Sequence, residues 1–435
     1  MEINKLNYHL MPKKGWLNDP NGLVYFKGEY HIFYQADEES LLGHVNKAWG
    51  HYSTKDFITY KQHELAILPD SIYDKNGAYS GSAIVKDDVL FLFYTGNVKH
   101  EGNHDYITSG REHNLMRVES KDGIHFTNKV CLLKDEDYPS DCTNHVRDPK
   151  IFEKGGQYHL VLGARLLDNT SCVLEYVSND LNTWTYLRRY TPKATVGYMI
   201  ECPDYLYDKD ISFIVCSPQG LQENNIQFQN TYACGYYKIN QNNLVEYHTL
   251  DYGFDFYAPQ TFYGTKSNIM IGWIGMPDND YIDFYDDWNQ TLSMPRKVKF
   301  TDGKMIQYPI HEILSLRCDK KVFNTNISLT NSCNIEFNVE SDFVIALNNV
   351  VLSYKNIEIC LDLSQCDCGR IKRYIKDIDV KNVSIFIDES VMEIFINDGE
   401  YTMTSRFYDD EKNLIVRFDG INEIETYKMK GFKIE

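Results

Sequence analysis

Three acidic residues, Asp19, Asp148 and Glu201, occur in short motifs that contain a proline and precede apolar residues. The motifs read DPNG from Asp19, DPK from Asp148 and ECP from Glu201. Enzymes that cleave glycosidic bonds use two carboxyl groups, one that donates a proton and one that attacks or activates water. Three acids in similar motifs are therefore candidates for glycoside hydrolysis.

The residues around each acid suggest different roles. Glu201 follows Met199 and Ile200, and apolar surroundings favour the protonated form of a carboxyl group, which suits a proton donor. Asp19 lies in a turn rich in amide donors, which favour an ionised nucleophile. We therefore predict Glu201 as the acid/base, Asp19 as the nucleophile and Asp148 as the group that binds sugar hydroxyls and stabilises the transition state.

Each acid also has a purely structural interpretation. NDPNG from Asn18 is a common turn sequence, and Asp148 could form a salt bridge with Arg147. Neither interpretation explains why the three acids occupy related positions in a repeat. Tryptophan and tyrosine side chains near the motifs could stack on a sugar or belong to the core. They are Trp16, Trp49, Tyr79 and Trp273.

One pattern recurs five times in the first two thirds of the chain: a motif with proline or glycine, an apolar strand, a polar turn and an aromatic strand. The copies begin at Asp19, Ser80, Asp148, Cys202 and Ala258. A second pattern, a polar turn before an aromatic residue, begins at Ser53, Ser120 and Ser178. Two hairpins per unit predict an all-β fold with a five-bladed β-propeller, whereas an array of β-sandwiches would leave the periodic motif unexplained.

The innermost strands of a propeller lie beside its axial channel, so residues at equivalent repeat positions meet there. Asp19, Asp148 and Glu201 occupy such positions in three copies, while Ser80 and Tyr257 are close to them in the other two. We therefore expect the three carboxyl groups to converge on one pocket.

The pattern changes after the fifth copy. We expect a propeller over residues 1–308, a helical linker over 309–323 and a C-terminal β-sandwich over 324–435. IHEILSLR from Ile310 has the spacing of a helix. In SIFID from Ser384, the residues Ser384, Phe386 and Asp388 alternate with Ile385 and Ile387. This alternation predicts a strand with the first set facing solvent and the two isoleucines on a dry face.

The charge balance excludes several classes of function. With 44 Lys and Arg against 62 Asp and Glu, the formal net charge is −18, which repels nucleic acid and anionic membranes. The sequence has no basic leader followed by an apolar stretch and no run of about 18 apolar residues. We therefore expect a cytoplasmic protein with neither nucleic-acid nor membrane partners.

The 11 cysteines have no disulfide-framework spacing, which favours free thiols in a reducing compartment. Cys366 and Cys368 form the closest pair, but no second pair or nearby histidine completes a metal site. We expect neither a metal nor a cofactor.

In combination these motifs resemble the glycoside hydrolase family that contains invertases, sucrose-6-phosphate hydrolases and fructanases. The similarity covers nearly the whole chain. WLNDPNG from Trp16 resembles the family's nucleophile motif, with leucine where methionine is commoner. RDP from Arg147 resembles the motif of the transition-state stabiliser, and ECP from Glu201 resembles the acid/base motif. The resemblance implies the same three roles, and a five-bladed propeller followed by a sandwich.

The resemblance also implies a set of sugar-contacting residues. They are Trp16, Leu17, Asn18, Gln35, Trp49, Tyr79, Ser80, Arg147 and Trp273. IGWIGMPDNDY from Ile271 looks more like intracellular sucrose-6-phosphate hydrolases than secreted fructanases. Basic residues in expected loops, among them Lys47, Lys99, Arg111 and His113, do not define a phosphate site because they could equally be solvated.

The activity implied by the resemblance is that of a retaining β-fructofuranosidase acting on sucrose 6-phosphate or sucrose. An exo-acting hydrolase of short β-fructans is the alternative within the same class. A sugar-binding propeller without catalysis is the alternative from another class. The expected partner is a small-molecule sugar, and the chain could be a monomer or a homodimer.

Overall fold

A computed structural model describes the chain over residues 5–194, 196–223, 226–277, 287–366, 370–408, 411 and 413–435. Within these ranges the regular secondary structure is almost entirely β-strand, arranged as five blades followed by two further sheets. The predicted all-β fold, a five-bladed propeller with a C-terminal β-sandwich, is confirmed. Cys368 and residues 278–281, which belong to two sequence motifs, lie outside the described residues.

The first three blades have four antiparallel strands each. Blade one contains Gly15–Phe26 (β1), Glu29–Asp37 (β2), Ala48–Thr54 (β3) and Thr59–Gln62 (β4). Blade two contains Ala78–Lys86 (β5), Val89–Lys99 (β6), Arg111–Ser120 (β7) and Thr127–Leu133 (β8). Blade three contains Cys142–Lys154 (β9), Gln157–Leu166 (β10), Ser171–Ser178 (β11) and Thr185–Pro192 (β12).

The last two blades complete the ring. Blade four contains Met199–Asp208 (β13), Ile211–Gln219 (β14), Gly235–Asn240 (β15) and Asn243–Thr249 (β16). Blade five contains Tyr257–Thr261 (β17), Asn268–Ile274 (β18), Thr291–Leu292 (β20), Arg296–Thr301 (β21) and Lys304–Pro309 (β22), while the short strand Trp288–Asn289 (β19) pairs in parallel with β1 of blade one. Each of the inner strands β1, β5, β9, β13 and β17 contacts the next, and β17 contacts β1.

Every inner strand has a β-bulge at its repeat motif. The register shifts fall between Leu17 and Pro20 in β1, for example, and between Glu201 and Asp204 in β13; β5, β9 and β17 shift at equivalent positions. A bulge redirects side chains that strict alternation would place on the faces of the blade. The repeated proline or glycine thus marks where each inner strand bends at the channel.

The outer hairpins of the first three blades share one turn. Asp56, Asp122 and Asp180 each accept hydrogen bonds from the backbone amides two and three residues further on. This is the local side-chain-to-backbone bonding that aspartate favours in turns. It explains the polar pattern that begins at Ser53, Ser120 and Ser178.

Among the described residues, thirteen short strands follow the propeller. One sheet of the sandwich contains Arg317–Phe323 (β23), Ser332–Asn338 (β25), Asn382–Asp388 (β30), Val391–Ile396 (β31), Tyr401–Arg406 (β32) and Ile424–Met429 (β34). The other contains Ile327–Leu329 (β24), Phe343–Leu347 (β26), Val350–Lys355 (β27), Glu358–Asp362 (β28), Lys372–Lys376 (β29) and Leu414–Asp419 (β33). The last strand, Lys433–Ile434 (β35), returns to pair with β4 of blade one.

Two details differ from the sequence-based expectation. The helix expected over 309–323 is one turn, His311–Leu314 (α1), because the following residues hydrogen-bond as β23 to β34. A 3₁₀ turn at Asp135–Asp137 precedes β9. The face of β30 expected in solvent is also buried, since Phe386 packs in a core cluster with residues of blade one.

None of the helices in the described ranges is long and apolar enough to cross a lipid bilayer.

A buried polar network joins the two domains. The imidazole of His9 lies 2.8 Å from Asp388 and 2.9 Å from Glu393, while Arg296 Nε donates to Glu393 at 2.9 Å. Burial opposes protonation of His9, but hydrogen bonds to Asp388 and Glu393 outweigh it and raise the pKa of the ring. The propeller and sandwich therefore share an ionic interface as well as an apolar one.

Candidate active site

The three predicted catalytic acids lie at the bulges of β1, β9 and β13 and meet around Cys202. The Cys202 thiol lies 3.6 Å from Asp19 Oδ2 and 3.8 Å from Asp148 Oδ2. The backbone N–H of Cys202 also donates to Asp148 Oδ2 at 3.0 Å, and Glu201 is the preceding residue. The structure thus brings together acids from three separate blades.

Asp19 is held by a neighbouring blade. The Ser80 hydroxyl donates to Asp19 Oδ2 at 2.5 Å. Burial, assisted by the charge of Glu201, raises the pKa of Asp19 to about 6, although the Ser80 hydrogen bond and the Lys47 charge oppose this shift. Asp19 is therefore ionised at neutral pH but readily takes up a proton in mild acid.

Asp148 has a backbone conformation that few non-glycine residues adopt, with φ of +63°. Its backbone N–H donates to the Thr95 hydroxyl at 2.9 Å, and its carboxylate faces Cys202. Burial raises the pKa of Asp148 to about 7; the charge of Arg147 opposes the shift and that of Glu201 adds to it. Such a desolvated carboxyl group beside an arginine and a second acid is typical of a functional position.

Glu201 has polar rather than apolar contacts, which corrects the environment expected from Met199 and Ile200. Its Oε1 accepts bonds from Arg147 Nη2 at 2.6 Å and Nε at 3.2 Å. Its Oε2 accepts bonds from Gln219 at 2.6 Å and the Tyr257 hydroxyl at 2.7 Å. The flanking apolar residues face the core, while the bulge turns the carboxyl group toward these donors, which fix its position.

Arg147 forms the salt bridge considered for Asp148, but its main partner is Glu201. Its Nε lies 3.8 Å from Asp148 Oδ2, against 2.6 Å between Nη2 and Glu201 Oε1. The remaining Nη1 donates to His145 Nδ1 at 2.7 Å. Arg147 thus orients the predicted acid/base from the adjacent blade.

Trp16 and Trp273 form an aromatic corner of the site. Their ring centroids are 6.4 Å apart in an edge-on arrangement, and Trp273 Nε1 donates to Gln290 at 3.1 Å. The Lys47 ammonium lies 5.0 Å from the centroid of Trp16 and 5.3 Å from that of Tyr79. The ring of Trp273 also lies 6.2 Å from that of Tyr257, whose hydroxyl donates to Glu201, and Tyr79 directly precedes Ser80, which donates to Asp19.

Three other predicted sugar-contacting residues are almost fully buried. Leu17 and Trp49 have 0% exposed surface, and Gln35 has 3%. Trp49 Nε1 donates to the backbone carbonyl of Tyr79 at 3.0 Å and thereby supports β5. Gln35 likewise donates to the backbone carbonyl of Ala78 in β5, at 3.4 Å. Asn18 is half-buried, and its Oδ1 has no hydrogen-bond partner among the described residues.

Two contacts of the site were not predicted. Gln219 at the end of β14 and Thr95 in β6 belong to second strands of their blades, where the repeat motif gives no signal. Cys202 and Tyr257 do occupy motif positions, so their contacts could have been inferred from the repeat.

Comparison with known proteins gives the same assignment. Residues 9–309 match the N-terminal domain, and residues 365–433 the C-terminal domain, of glycosyl hydrolases family 32. A sucrose-6-phosphate hydrolase of Vibrio alginolyticus is 37% identical, covering 98% of this chain and 90% of the relative. One of Bacillus subtilis (strain 168) is 34% identical, covering 93% of this chain and 89% of the relative.

Solved structures with the same fold include a sucrose-6-phosphate hydrolase from Lactobacillus gasseri, with a TM-score of 0.86 and 28% identity over 98% of this chain and 93% of that chain. A Bombyx mori GH32 beta-fructofuranosidase has a TM-score of 0.85 and 26% identity, covering 100% of this chain and 96% of that chain. The predicted family and the predicted enzyme class are thereby confirmed. The chain is a glycoside hydrolase and belongs to glycosyl hydrolases family 32.

Proposed function

We propose that this protein is a retaining β-fructofuranosidase that hydrolyses sucrose 6-phosphate or sucrose. The observation that carries the proposal is the meeting of Asp19, Asp148 and Glu201 around Cys202, in a chain of glycosyl hydrolases family 32. The relatives described as sucrose-6-phosphate hydrolases, at 37% and 34% identity over nearly the full length, support the substrate class.

The proposed mechanism is a double displacement. The Asp19 carboxylate attacks the anomeric carbon of the fructosyl unit while Glu201 donates a proton to the leaving oxygen. Glu201 then accepts a proton from a water molecule as the water oxygen attacks the anomeric carbon. This breaks the ester bond to Asp19 and releases fructose and the free carboxylate. Asp148 binds ring hydroxyls and offsets the positive charge that develops at the ring in each step.

We further propose that the propeller, within residues 1–308, contributes all groups that contact the fructosyl unit. All described contacts of the three acids come from blades one to five. The sandwich, within residues 324–435, then acts as a support through the network of His9, Arg296 and Glu393.

The two alternatives have weaker support. Structures of fructan hydrolases, such as a fructan 1-exohydrolase from Cichorium intybus at 21% identity, share the fold alone. A binding protein without catalysis has weaker support because the chain belongs to glycosyl hydrolases family 32 and its relatives at 37% and 34% identity are hydrolases.

A cytoplasmic location is part of the proposal. The cysteines in the described ranges form no disulfide, as expected in a reducing compartment. A phosphorylated sugar is charged and does not cross the apolar interior of a membrane unaided. An enzyme that hydrolyses it must therefore be in the compartment in which that sugar is formed.

Fructose release by the purified protein tests the proposal. We expect hydrolysis of sucrose or sucrose 6-phosphate, a loss of turnover of about a thousandfold or more in Asp19→Ala, and no loss in the exposed control Asp168→Asn. The turnover rate of Glu201→Ala, relative to the wild type, should fall far less with β-fructosyl fluoride than with sucrose, because fluoride needs little protonation to leave. Hydrolysis of neither sugar, or full activity in Asp19→Ala, would overturn it.

A further inference from the structure

The two oxygens of the Glu201 carboxyl group have different kinds of partner. Oε1 accepts hydrogen bonds from Nη2 and Nε of Arg147, at 2.6 and 3.2 Å. Oε2 accepts hydrogen bonds from the Gln219 amide at 2.6 Å and from the Tyr257 hydroxyl at 2.7 Å. One oxygen is therefore held by a cation on β9, and the other by two neutral groups on β14 and β17.

The guanidinium of Arg147 can donate hydrogen bonds but cannot accept one. A proton on Oε1 would point at its N–H groups and break the salt bridge. Arg147 is itself fixed, because Nη1 donates to Nδ1 of His145, while Nε2 of that ring donates to the backbone carbonyl of Tyr106 at 2.8 Å. Burial, followed by the charge of Arg147, lowers the pKa of His145 to about 3, so the ring is neutral and its Nδ1 accepts. Oε1 is thus held as the unprotonated oxygen.

The partners of Oε2 can reverse their direction of donation. An amide has both N–H donors and a carbonyl acceptor, and a hydroxyl can donate or accept. A half-turn about the last bond of the Gln219 side chain exchanges its donor for its acceptor. The Tyr257 hydroxyl also lies 3.4 Å from the backbone carbonyl of Ser217, to which it can donate when Glu201 is protonated. Oε2 can therefore be hydrogen-bonded in both protonation states without the movement of a strand.

The other titratable groups around Glu201 act on it through charge, without a hydrogen bond among the described residues. They are Asp19, Asp148 and Cys202. Arg111 and His113, which belong to β7 and not to a loop as expected, lie near Arg147 and form no hydrogen bond with Glu201 in the described ranges. The Glu201 side chain keeps 16% of its surface exposed, so a bound sugar can reach its carboxyl group.

We propose that Glu201 transfers its catalytic proton through Oε2, and that Gln219 is a positioning residue that holds this oxygen in both halves of the reaction. In the first half the Oε2–H bond breaks, and the proton passes to the glycosidic oxygen as that oxygen leaves the anomeric carbon and Asp19 bonds to the carbon. In the second half Oε2 takes a proton from the water whose oxygen displaces Asp19. This inference rests on the proposed function and deepens it.

Gln219 has a different role in each state of the acid. Before substrate binds, its carbonyl oxygen accepts a hydrogen bond from Oε2–H. After proton transfer, its N–H donates to the ionised Oε2, as the 2.6 Å contact shows. Hydrogen bonds to a charged group are stronger than those between neutral groups. The loss of Gln219 should therefore impair the steps that move a proton more than those that do not.

The test replaces Gln219 by methionine, which has a similar length but no amide. It compares kcat/KM for β-fructosyl fluoride with kcat/KM for sucrose or sucrose 6-phosphate, whichever the wild type hydrolyses faster. Because kcat/KM covers the steps up to departure of the leaving group, it reports on the first half of the reaction. Gln219→Met should lose about tenfold or more on the sugar, and less than about twofold on the fluoride, which needs little protonation to leave.

Gln157→Met is the matched control. Gln157 is exposed in β10, and its amide donates to the Asn179 side chain at 3.0 Å, so the substitution removes a similar hydrogen bond outside the site. Both activities should be unchanged in this variant. Equal losses on sugar and fluoride in Gln219→Met would show that Gln219 only supports the packing of the site. That result, or full activity of Gln219→Met on the sugar, would overturn the inference but leave the proposed function intact.

A second measurement uses the wild type alone and does not depend on the folding of a variant. Neutron diffraction from crystals titrated until the Glu201 carboxyl group carries a deuterium locates that atom. We expect it on Oε2, and a deuterium on Oε1 would overturn the inference without affecting the proposed function. Hydrolysis of neither sucrose nor its 6-phosphate by the wild type would overturn the proposed function and this inference together.

Discussion

At the scale of single residues, the acids are controlled by desolvation and by one another. Burial raises the pKa of Asp19 to about 6 and that of Asp148 to about 7, and the charge of Glu201 adds to both shifts. Ser80 opposes the shift of Asp19 through its hydrogen bond. Because a nucleophile must be ionised, these contacts set the acidic limit of activity.

Ser80→Ala should move that limit. The variant removes a hydrogen bond that stabilises the ionised form of Asp19, so the pKa of Asp19 rises above about 6 and kcat/KM for sucrose begins to fall at a higher pH. A pH–rate profile measures this shift. Ser212→Ala, which removes a hydroxyl bonded to Tyr205 in blade four, is the control and should leave the profile in place. An unchanged acid limb in Ser80→Ala would contradict the account.

Asp148→Asn should stabilise the protein while abolishing efficient catalysis. The pKa of Asp148 is about 7 in the folded protein and near 3.8 in the unfolded chain. Between these two pH values the folded state binds more protons than the unfolded state. The free energy of unfolding therefore falls as the pH rises through this window. Asparagine does not titrate. The melting temperature of the variant should therefore exceed that of the wild type by about 2 °C or more at pH 8.

The same comparison at pH 4 provides the control for Asp148→Asn. The advantage should nearly vanish there, because Asp148 is protonated in the folded state and partly so in the unfolded state. A variant that melts below the wild type at pH 8 would show that the burial of this charge is not costly.

At the scale of elements, the repeat that is visible in the sequence predicts most of the architecture. A bulge at the same place in five inner strands turns a sequence motif into a ring of side chains. The surroundings of Glu201 were not predictable in this way. They were inferred from its apolar sequence neighbours Met199 and Ile200, whereas the bulge turns the Glu201 side chain toward polar groups. The length of the helix at His311–Leu314 was overestimated, because the residues that follow it pair as β23 with β34 and this pairing overrides their helical spacing.

The recurring aspartate turn can be tested at Asp180. Its carboxylate accepts bonds from the backbone amides of Asn182 and Thr183, both at 2.8 Å. Asp180→Ala should lower the free energy of unfolding by about 1 kcal/mol without changing turnover, as for other lost capping interactions. Asp180→Asn keeps a hydrogen-bond acceptor, so its free energy of unfolding, measured with urea, should fall much less. Equal losses in the two variants would refute the role assigned to the carboxylate oxygens.

At the scale of the whole molecule, the propeller and the sandwich are joined by charges from opposite ends of the chain. His9 contacts Asp388 and Glu393, and Arg296 is fully buried between Glu393 and Asp251. No sequence period links residues so far apart, so this interface could not be predicted. It also buries the face of β30 that a sequence pattern assigns to solvent.

Arg296→Gln should destabilise the protein strongly. It leaves Glu393 buried with a reduced set of donors, and breaking a buried ion pair from one side costs about 3 to 5 kcal/mol. Urea unfolding, with Arg417→Gln as the exposed control, measures this loss. A loss below about 1 kcal/mol would show that the interface is held by apolar packing rather than by the ionic network.

The central claim, that Asp19 and Glu201 perform a double displacement on a fructosyl unit, is tested most directly by the configuration of the first sugar released. Proton NMR spectra recorded immediately after sucrose or its 6-phosphate is mixed with the enzyme distinguish the anomers before they equilibrate. Two successive inversions at the anomeric carbon predict β-fructofuranose as the initial product. Initial release of the α-anomer would contradict the account.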